Sequence, residues 1–511
     1  MSAMLALAAR RAARGRPRGP GRLAGAARSR GGGGEGGEGA GGPALHFCVV
    51  GSGPAGFYTA ERLAKAFGGR ARIDVLDRLP TPFGLVRYGV APDHAATKSV
   101  INQFTASALE AANRIRFFGN VEVGRDVRVE ELDRMYSALV LACGCPGDKR
   151  LGLRGEGLEG VLSAREFVSW YNGVPDWEKA PPDLGDVTDV TVIGQGNVAL
   201  DCARLLLKGP ERLGGTDITQ GALAALRGSA VRRVHLVGRR GPAQASFTGK
   251  ELREILGLEG CAVHVKAEDL ELSDLDRAEL KRSRIRKRVA RIFADRARAG
   301  NPPGAAKGLH LHFFRQPVRF LEGGGRVKGV EVEKTTLEGG GEGVARSACG
   351  TGEVEAIPAQ LVLKSVGYEG TPLPGVPFDE RTCTVPHALG RVDRPGRART
   401  YAVGWQKRGP SGIIATNLHD AEETVASIVE DAAALRRLEG PGAGGAALTA
   451  LLAGRGVQVV TFADWLRLDR EEERRGAACG KPREKILDVA TMLAIAADRQ
   501  TPEGGGAGNT S

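Results

Sequence analysis

Apolar residues in this chain gather mostly in short unbroken runs. Leu45–Val50 (LHFCVV) reads as a buried strand and Ala138–Ala142 (ALVLA) as a short apolar one, with further strands at Arg72–Leu76, Asp189–Ile193 and Val234–Val237. Helices open between them, one at Pro54 and one over Ala199–Lys208. Strands alternating with helices predict an α/β fold built from doubly wound parallel sheets. A strand, a glycine turn and a helix follow one another twice, more than a hundred residues apart, so two Rossmann-like dinucleotide-binding domains are expected. Residues 326–335 and 354–366 turn β-like again. Lys281–Arg298 predicts one basic helix. Its apolar stripe, Ile285, Val289, Ile292 and Phe293, would face the protein while Arg284 and Arg288 face outward.

Length and charge refine this picture. A chain of 511 residues exceeds one compact core. The net charge of +12 would suit a nucleic-acid binder, but eight arginines and no acid fall in residues 1–30. Without that head the chain holds 64 positive side chains against 60 negative. An Arg/Ala/Leu-rich, acid-free head without a long apolar core fits a mitochondrial transit peptide better than a nucleic-acid arm. The Gly/Glu run 31–42 then serves as a spacer, so residues 1–43 are set apart from the fold. No run approaches the roughly eighteen apolar residues of a membrane span. Eight cysteines (48, 143, 145, 202, 261, 349, 383 and 479) lack CxxC or zinc-like spacing, which predicts free thiols and no metal site.

The glycine turns carry the chemistry. In Gly51-Ser52-Gly53-Pro54-Ala55-Gly56 the first glycine permits a tight turn, the second lets a pyrophosphate approach, and the third lets helix and strand pack. The following strand ends at Asp77, a carboxylate suited to ribose hydroxyls and hostile to a 2′-phosphate. This site should hold FAD or NAD. In the second turn, Gly194-Gln195-Gly196-Asn197-Val198-Ala199, alanine replaces the last glycine. There the next strand ends in Arg239-Arg240, a guanidinium pair suited to the 2′-phosphate of NADP(H). Flavin plus NADPH means hydride transfer to flavin. Cys143-x-Cys145 is a poor disulfide-reductase pair, while a monooxygenase or glutamate-synthase-type subunit stays open on domain logic alone.

The blocks VVGSGPAGFYTAERL, TPFGLVRYGVAPDH, GNVEVGRDV, SAREFVSWYNG, VIGQGNVALD, VGRRGPAQASFTGKELRE, GWQKRGPSGIIATNLHDA and ACGKPREKILD narrow the choice. In order and spacing they resemble the adrenodoxin reductase family of ferredoxin–NADP reductases over about residues 44–496. The resemblance implies a glutathione-reductase-like architecture. An FAD domain over 44–148 and 369–511 would receive an NADP domain, 149–368, as an insertion. It implies FAD at Ala55, Asp77, Leu85, Val121, Trp405, Gly412, Ile413 and Ile414, beside Gly51, Gly53 and Gly56 of the turn. It implies NADP at Gln195, Gly196, Asn197, Val198, Arg239, Arg240, Glu251 and Gly412. It sets His94 and Asp201 together at the domain junction, as a proton route or as a structural pair. It also points to Arg284 and Arg288 as the contact for an acidic [2Fe–2S] ferredoxin. The implied setting is the mitochondrial matrix, with peripheral inner-membrane contact, a monomer, and electrons destined for cytochromes P450 or for iron–sulfur and haem synthesis. Nucleic acid has no place in it. The rival is an NADPH-dependent flavin reductase subunit with another acceptor. Two departures stand out: Asp77 is shorter than the glutamate expected there, and ACGC (142–145) replaces a more usual strand end.

Overall fold

The computed structural model describes residues 44–177, 181–339, 346–437 and 444–498. The basic head and its spacer lie outside them. From Pro43 onward the chain forms one unit built on two six-stranded sheets. Numbered in chain order, the first sheet uses β1 (Leu45–Val50), β2 (Ala71–Leu76), β3 (Ile115–Phe118) and β4 (Ala138–Leu141), and late in the chain β16 (Arg391–Val392) and β17 (Arg399–Ala402). Its order is β16-β17-β4-β1-β2-β3, parallel except for the edge pair β16–β17. Phe47 and Val49 pack on one face of β1 and Cys48 on the other, each fully buried, which is why that run carries no polar alternation.

After the short β5 (Gly147–Asp148) the second sheet takes β6 (Val161–Ser163), β7 (Asp189–Ile193), β8 (Arg233–Val237), β9 (Cys261–Val265) and β10 (Lys307–His312). It closes with β14 (Leu361–Lys364) in the order β6-β14-β7-β8-β10-β9, and its pairings are all parallel. Val192, Leu236, Leu309 and Leu363 pack on helices on one face, while Ile193, Val237 and Val362 pack on the other face against an antiparallel meander. The meander is β11 (Arg315–Gly323), β12 (Arg326–Glu338) and β13 (Ser347–Pro358). The β-like residues 326–335 and 354–366 therefore belong to two structures: β12 and β13 of the meander, and β14 of the parallel sheet.

The two sheets are joined where β5 pairs antiparallel with β15 (Tyr368–Glu369): Asp148 sits opposite Tyr368 and Gly147 opposite Glu369. Side chains reinforce the junction. Arg204 pairs with Asp93 at 2.8 Å, and Lys208 reaches the same carboxylate at 2.8 Å. The KPREK stretch lies across it as a strap. Buried Lys485 lies 3.0 Å from Asp217, which Lys98 also meets at 2.7 Å. Behind the strap Arg87 and Glu472 form a fully buried ion pair.

One expected element is corrected. The basic segment is two helices, Asp274–Arg282 and Arg284–Arg298, broken at Ser283, whose hydroxyl accepts from the Arg286 N–H to cap the second. Val289 and Phe293 are buried as expected, but Ile285 is 70% exposed and leaves the stripe. It stands in the first turn of the second helix.

Candidate functional site

Both glycine turns are built alike, at the C-terminal ends of their sheets. Gly51 has φ of +111°, and a side chain there would meet the Ala142 carbonyl at 2.3 Å. Gly194, at φ +144°, would meet the Ser365 carbonyl at 2.2 Å. In each case the chain crosses the tip of the neighbouring strand so closely that only glycine fits. Each turn then delivers the N-terminus of a helix, Pro54–Phe67 or Asn197–Leu207, whose first N–H groups have no acceptor within the helix and attract an anion.

Around the first turn, the chain gathers the residues expected for FAD. Gly53 has open space where a side chain would stand, so the backbone is bare for a ligand. Gly84 lies against Gly53, which brings half-exposed Leu85 to the turn. Asp77 ends just past β2, and Val121 donates its N–H to the Asp77 carbonyl at 2.8 Å while its side chain is buried in the core. Gly404 touches Ala55 and Asn417, which sets Trp405 and the Gly412–Ile414 segment beside the start of the Pro54 helix. Gly412 packs on Thr416, whose hydroxyl accepts from the Ile413 N–H. The Trp405 ring lies 5.2 Å from Tyr368, and its indole N–H donates to the Ser411 carbonyl.

Sequence reasoning missed Ser52. Its N–H and hydroxyl both donate to Asp77 Oδ2, while the Leu79 N–H donates to Oδ1. Burial pushes the Asp77 pKa up and these donors hold it back. A carboxylate has about four acceptor positions, so room is left for a ribose hydroxyl. The short side chain is thus fixed by the turn it faces.

The second cradle holds two buried polar atoms that no described residue satisfies. The Gln195 side chain lies over Gly238, and Asn197 Oδ1 accepts from the Thr248 N–H at 2.9 Å. That bond ties the glycine turn to the helix Gly249–Leu256, which carries Glu251 in its first turn. Glu251 Oε2 and Thr248 Oγ1 are both buried without a hydrogen-bond partner among the described residues. Buried polar atoms are nearly always satisfied, so this pair has the character of a ligand's partners. Val198 is half-buried on the core behind the turn. Exposed Arg239 and half-buried Arg240 have no carboxylate at ion-pair distance among the described residues, and burial, then Arg239 and Arg286, pull the Arg240 pKa down. A cationic pocket without an internal counter-ion suits a phosphate. The residues present therefore fit both dinucleotides.

His94 and Asp201 do meet at the junction, but not as a tight pair. His94 Nδ1 is 4.0 Å from Asp201, whereas its Nε2 is 2.7 Å from Glu254 Oε2. Asp201 is held by Arg204 at 2.7 Å, and burial pushes its pKa up. Glu254, Arg204 and Asp93 were not singled out from sequence, although Glu254 stands one helical turn beyond Glu251 on the same face. Arg284 and Arg288 are exposed, and Arg288 reaches back toward Gly249 beside the second cradle. All eight cysteines are free thiols, so no redox disulfide accompanies the cradles.

Comparison with known proteins agrees with this geometry. A family model described as pyridine nucleotide-disulphide oxidoreductase matches residues 45–290. The chain is 47% identical over 474 residues to the mitochondrial NADPH:adrenodoxin oxidoreductase of Arabidopsis thaliana, covering 89% of this chain and 96% of that protein. It is 47% identical over 457 residues to its Bos taurus counterpart, covering 88% and 91%. Among solved structures, FprA of Mycobacterium tuberculosis in complex with NADPH superposes with a TM-score of 0.83 at 38% identity, covering 89% of this chain and 99% of that one.

Proposed function

Because the chain belongs to the NADPH:adrenodoxin oxidoreductase family, we propose that it takes hydride from NADPH into FAD and delivers electrons one at a time to an adrenodoxin-type [2Fe–2S] ferredoxin. The observation that carries this reading is the opposite character of the two cradles. The first ends in a donor-held carboxylate, and the second in two guanidiniums that no carboxylate pairs among the described residues, with Glu251 Oε2 and Thr248 Oγ1 unsatisfied there.

When bound, the two cofactors supply the redox chemistry, a hydride from the nicotinamide and single-electron release from the flavin. The protein's part is positioning. Gly51 and Gly53 admit FAD phosphates to the Pro54 helix, and Asp77 takes a ribose hydroxyl. With FAD bound, the Gly412–Ile414 segment, which leads into the helix Thr416–Glu430, would offer a helix N-terminus to the negative charge of the reduced ring. Gln195–Val198 seat the NADP pyrophosphate, Arg239 and Arg240 grip the 2′-phosphate, and Glu251 binds the same nucleotide. His94 can hold the accompanying proton at Nε2, with Glu254 as its immediate partner and Asp201 behind it. Arg284 and Arg288 steer the acidic ferredoxin, whose visit must be fast and brief.

The finer setting belongs to the same reading: residues 1–43 as an import signal and spacer, a monomer in the mitochondrial matrix touching the inner membrane peripherally, and cytochromes P450 downstream. The domain limits of this reading are 44–148, 149–368 and 369–511, and the pairing of β5 with β15 at 147–148 and 368–369 supports them. The decisive measurement is NADPH-dependent reduction of cytochrome c with and without a purified mitochondrial ferredoxin. Strong stimulation by the ferredoxin is expected. NADPH oxidation that no ferredoxin stimulates would leave the flavin reductase subunit with another acceptor as the better reading.

A further inference from the structure

Four of the chain's eight histidines share one face of the second sheet. His235 of β8, His310 of β10 and His264 of β9 are in register across three adjacent parallel strands, and His312 follows on the same face two residues beyond His310. The rings lie close: 4.7 Å between the centroids of His235 and His310, 4.4 Å between His310 and His264, and 5.3 Å between His235 and His312. A cleft of about 420 Å³ opens against His264, His310 and His312. A parallel strand interior normally takes β-branched residues, so a row of imidazoles is costly unless it is used.

The nitrogen geometry suggests the use. His235 Nδ1 and His312 Nε2 are 3.1 Å apart. Two bonds of about 2.0–2.1 Å to one ion put adjacent ligand nitrogens roughly 2.9–3.4 Å apart. On its other side, His235 Nε2 faces Asp189 Oδ1 at 3.3 Å, and Asp189 is itself anchored by Arg233 at 2.5 Å. A carboxylate that fixes the far nitrogen of an imidazole is the usual support of a metal-bound histidine.

We propose that His235 Nδ1 and His312 Nε2 form a two-imidazole site for a divalent first-row transition ion of the Cu²⁺ or Zn²⁺ class. Among the described residues no three such donors converge on one point, so water completes the coordination. With the His235 proton held at Nε2 by Asp189, the N–H shared between the rings belongs to His312 and moves to its Nδ1 when the ion binds, so both imidazoles bind neutral and no proton is released. The ion ties β8 to β10 just below the turn that carries Arg239 and Arg240, since the Gly238 N–H donates to the His312 carbonyl.

The test titrates the FAD-loaded full chain with Cu²⁺ alone, read by calorimetry and by electron paramagnetic resonance. One ion per chain with hyperfine coupling to two imidazole nitrogens is expected. His312→Gln, at a half-buried position, should remove one of those nitrogens and weaken binding. Asp189→Asn should weaken binding roughly 10–100-fold, and His264→Gln should leave it intact. NADPH oxidation with ferricyanide should be unchanged in His312→Gln, which certifies its fold. Failure to bind one ion per chain would overturn the proposal, as would a spectrum and affinity that His312→Gln leaves unaltered.

Discussion

Replacing Arg240 with alanine should separate cofactor recognition from stability, because the guanidinium has no ion-pair partner among the described residues. Its surroundings are unfavourable before NADPH arrives: burial and the charges of Arg239 and Arg286 pull its pKa down. Truncation therefore removes a repulsive site from the ligand-free chain and a charge-assisted bond from the complex. Such a bond is worth about 1.5–3 kcal/mol, or roughly 10- to 150-fold in Kd. The same loss is expected for Arg239→Ala. NADH lacks the phosphate, so its kcat/KM should change little. The melting temperature without NADPH should hold or rise, and the stabilisation that NADPH adds should shrink. Titration with both nucleotides and thermal melts with and without them measure all of this. Equal losses with NADPH and NADH, or a lower melting temperature in the nucleotide-free variant, would refute the reasoning and make the pair structural.

The two glycines of the first turn should fail differently. Gly51→Ala meets the Ala142 carbonyl and should lower the melting temperature itself, whereas Gly53→Ala has room and should fold yet purify with less flavin, read from absorbance ratios. Glu254→Gln should keep FAD bound but shift the pH profile of flavin reduction in stopped flow; an unchanged profile would reduce the His94 contact to a junction strut. Arg284→Glu with Arg288→Glu should raise the ferredoxin KM and flatten its salt dependence while leaving quinone reduction intact. Lys485 has its pKa pulled down to about 7 by burial, below its unfolded value. The unfolded chain thus holds more protons between about pH 7 and pH 10, so stability gains with pH there, and Lys485→Met should flatten that rise in a series of melts.

Much of the fold was legible because its signals are local. Strands β1 and β4 were short, mainly apolar runs, β2, β7 and β8 were apolar stretches broken by single polar residues, and both cradles announced themselves by glycine spacing. What escaped depends on contacts across long stretches of chain. Nothing adjacent to Ser52 shows that its hydroxyl locks Asp77, and Glu254 meets His94 only once two distant segments fold together. The break at Ser283 was hidden inside a run of helix-forming residues, where a cap outweighed propensity. The meander was seen only as β-like because its register is set by antiparallel partners and by Phe320, Val330 and Ile357 packing beneath the sheet.

The ribbon of β5 and β15 has one last implication. Asp148 and Tyr368 are register partners, so the chain leaves for the second sheet and comes home at one spot. A segment with touching ends behaves as a cassette: its length and interior can change without stretching what lies on either side. The ion pairs that Arg204 and Lys208 make with Asp93 are then the docking code that any exchanged cassette has to reproduce. Grafts between members of this family should tolerate joints at Asp148 and Tyr368 so long as those partners travel together.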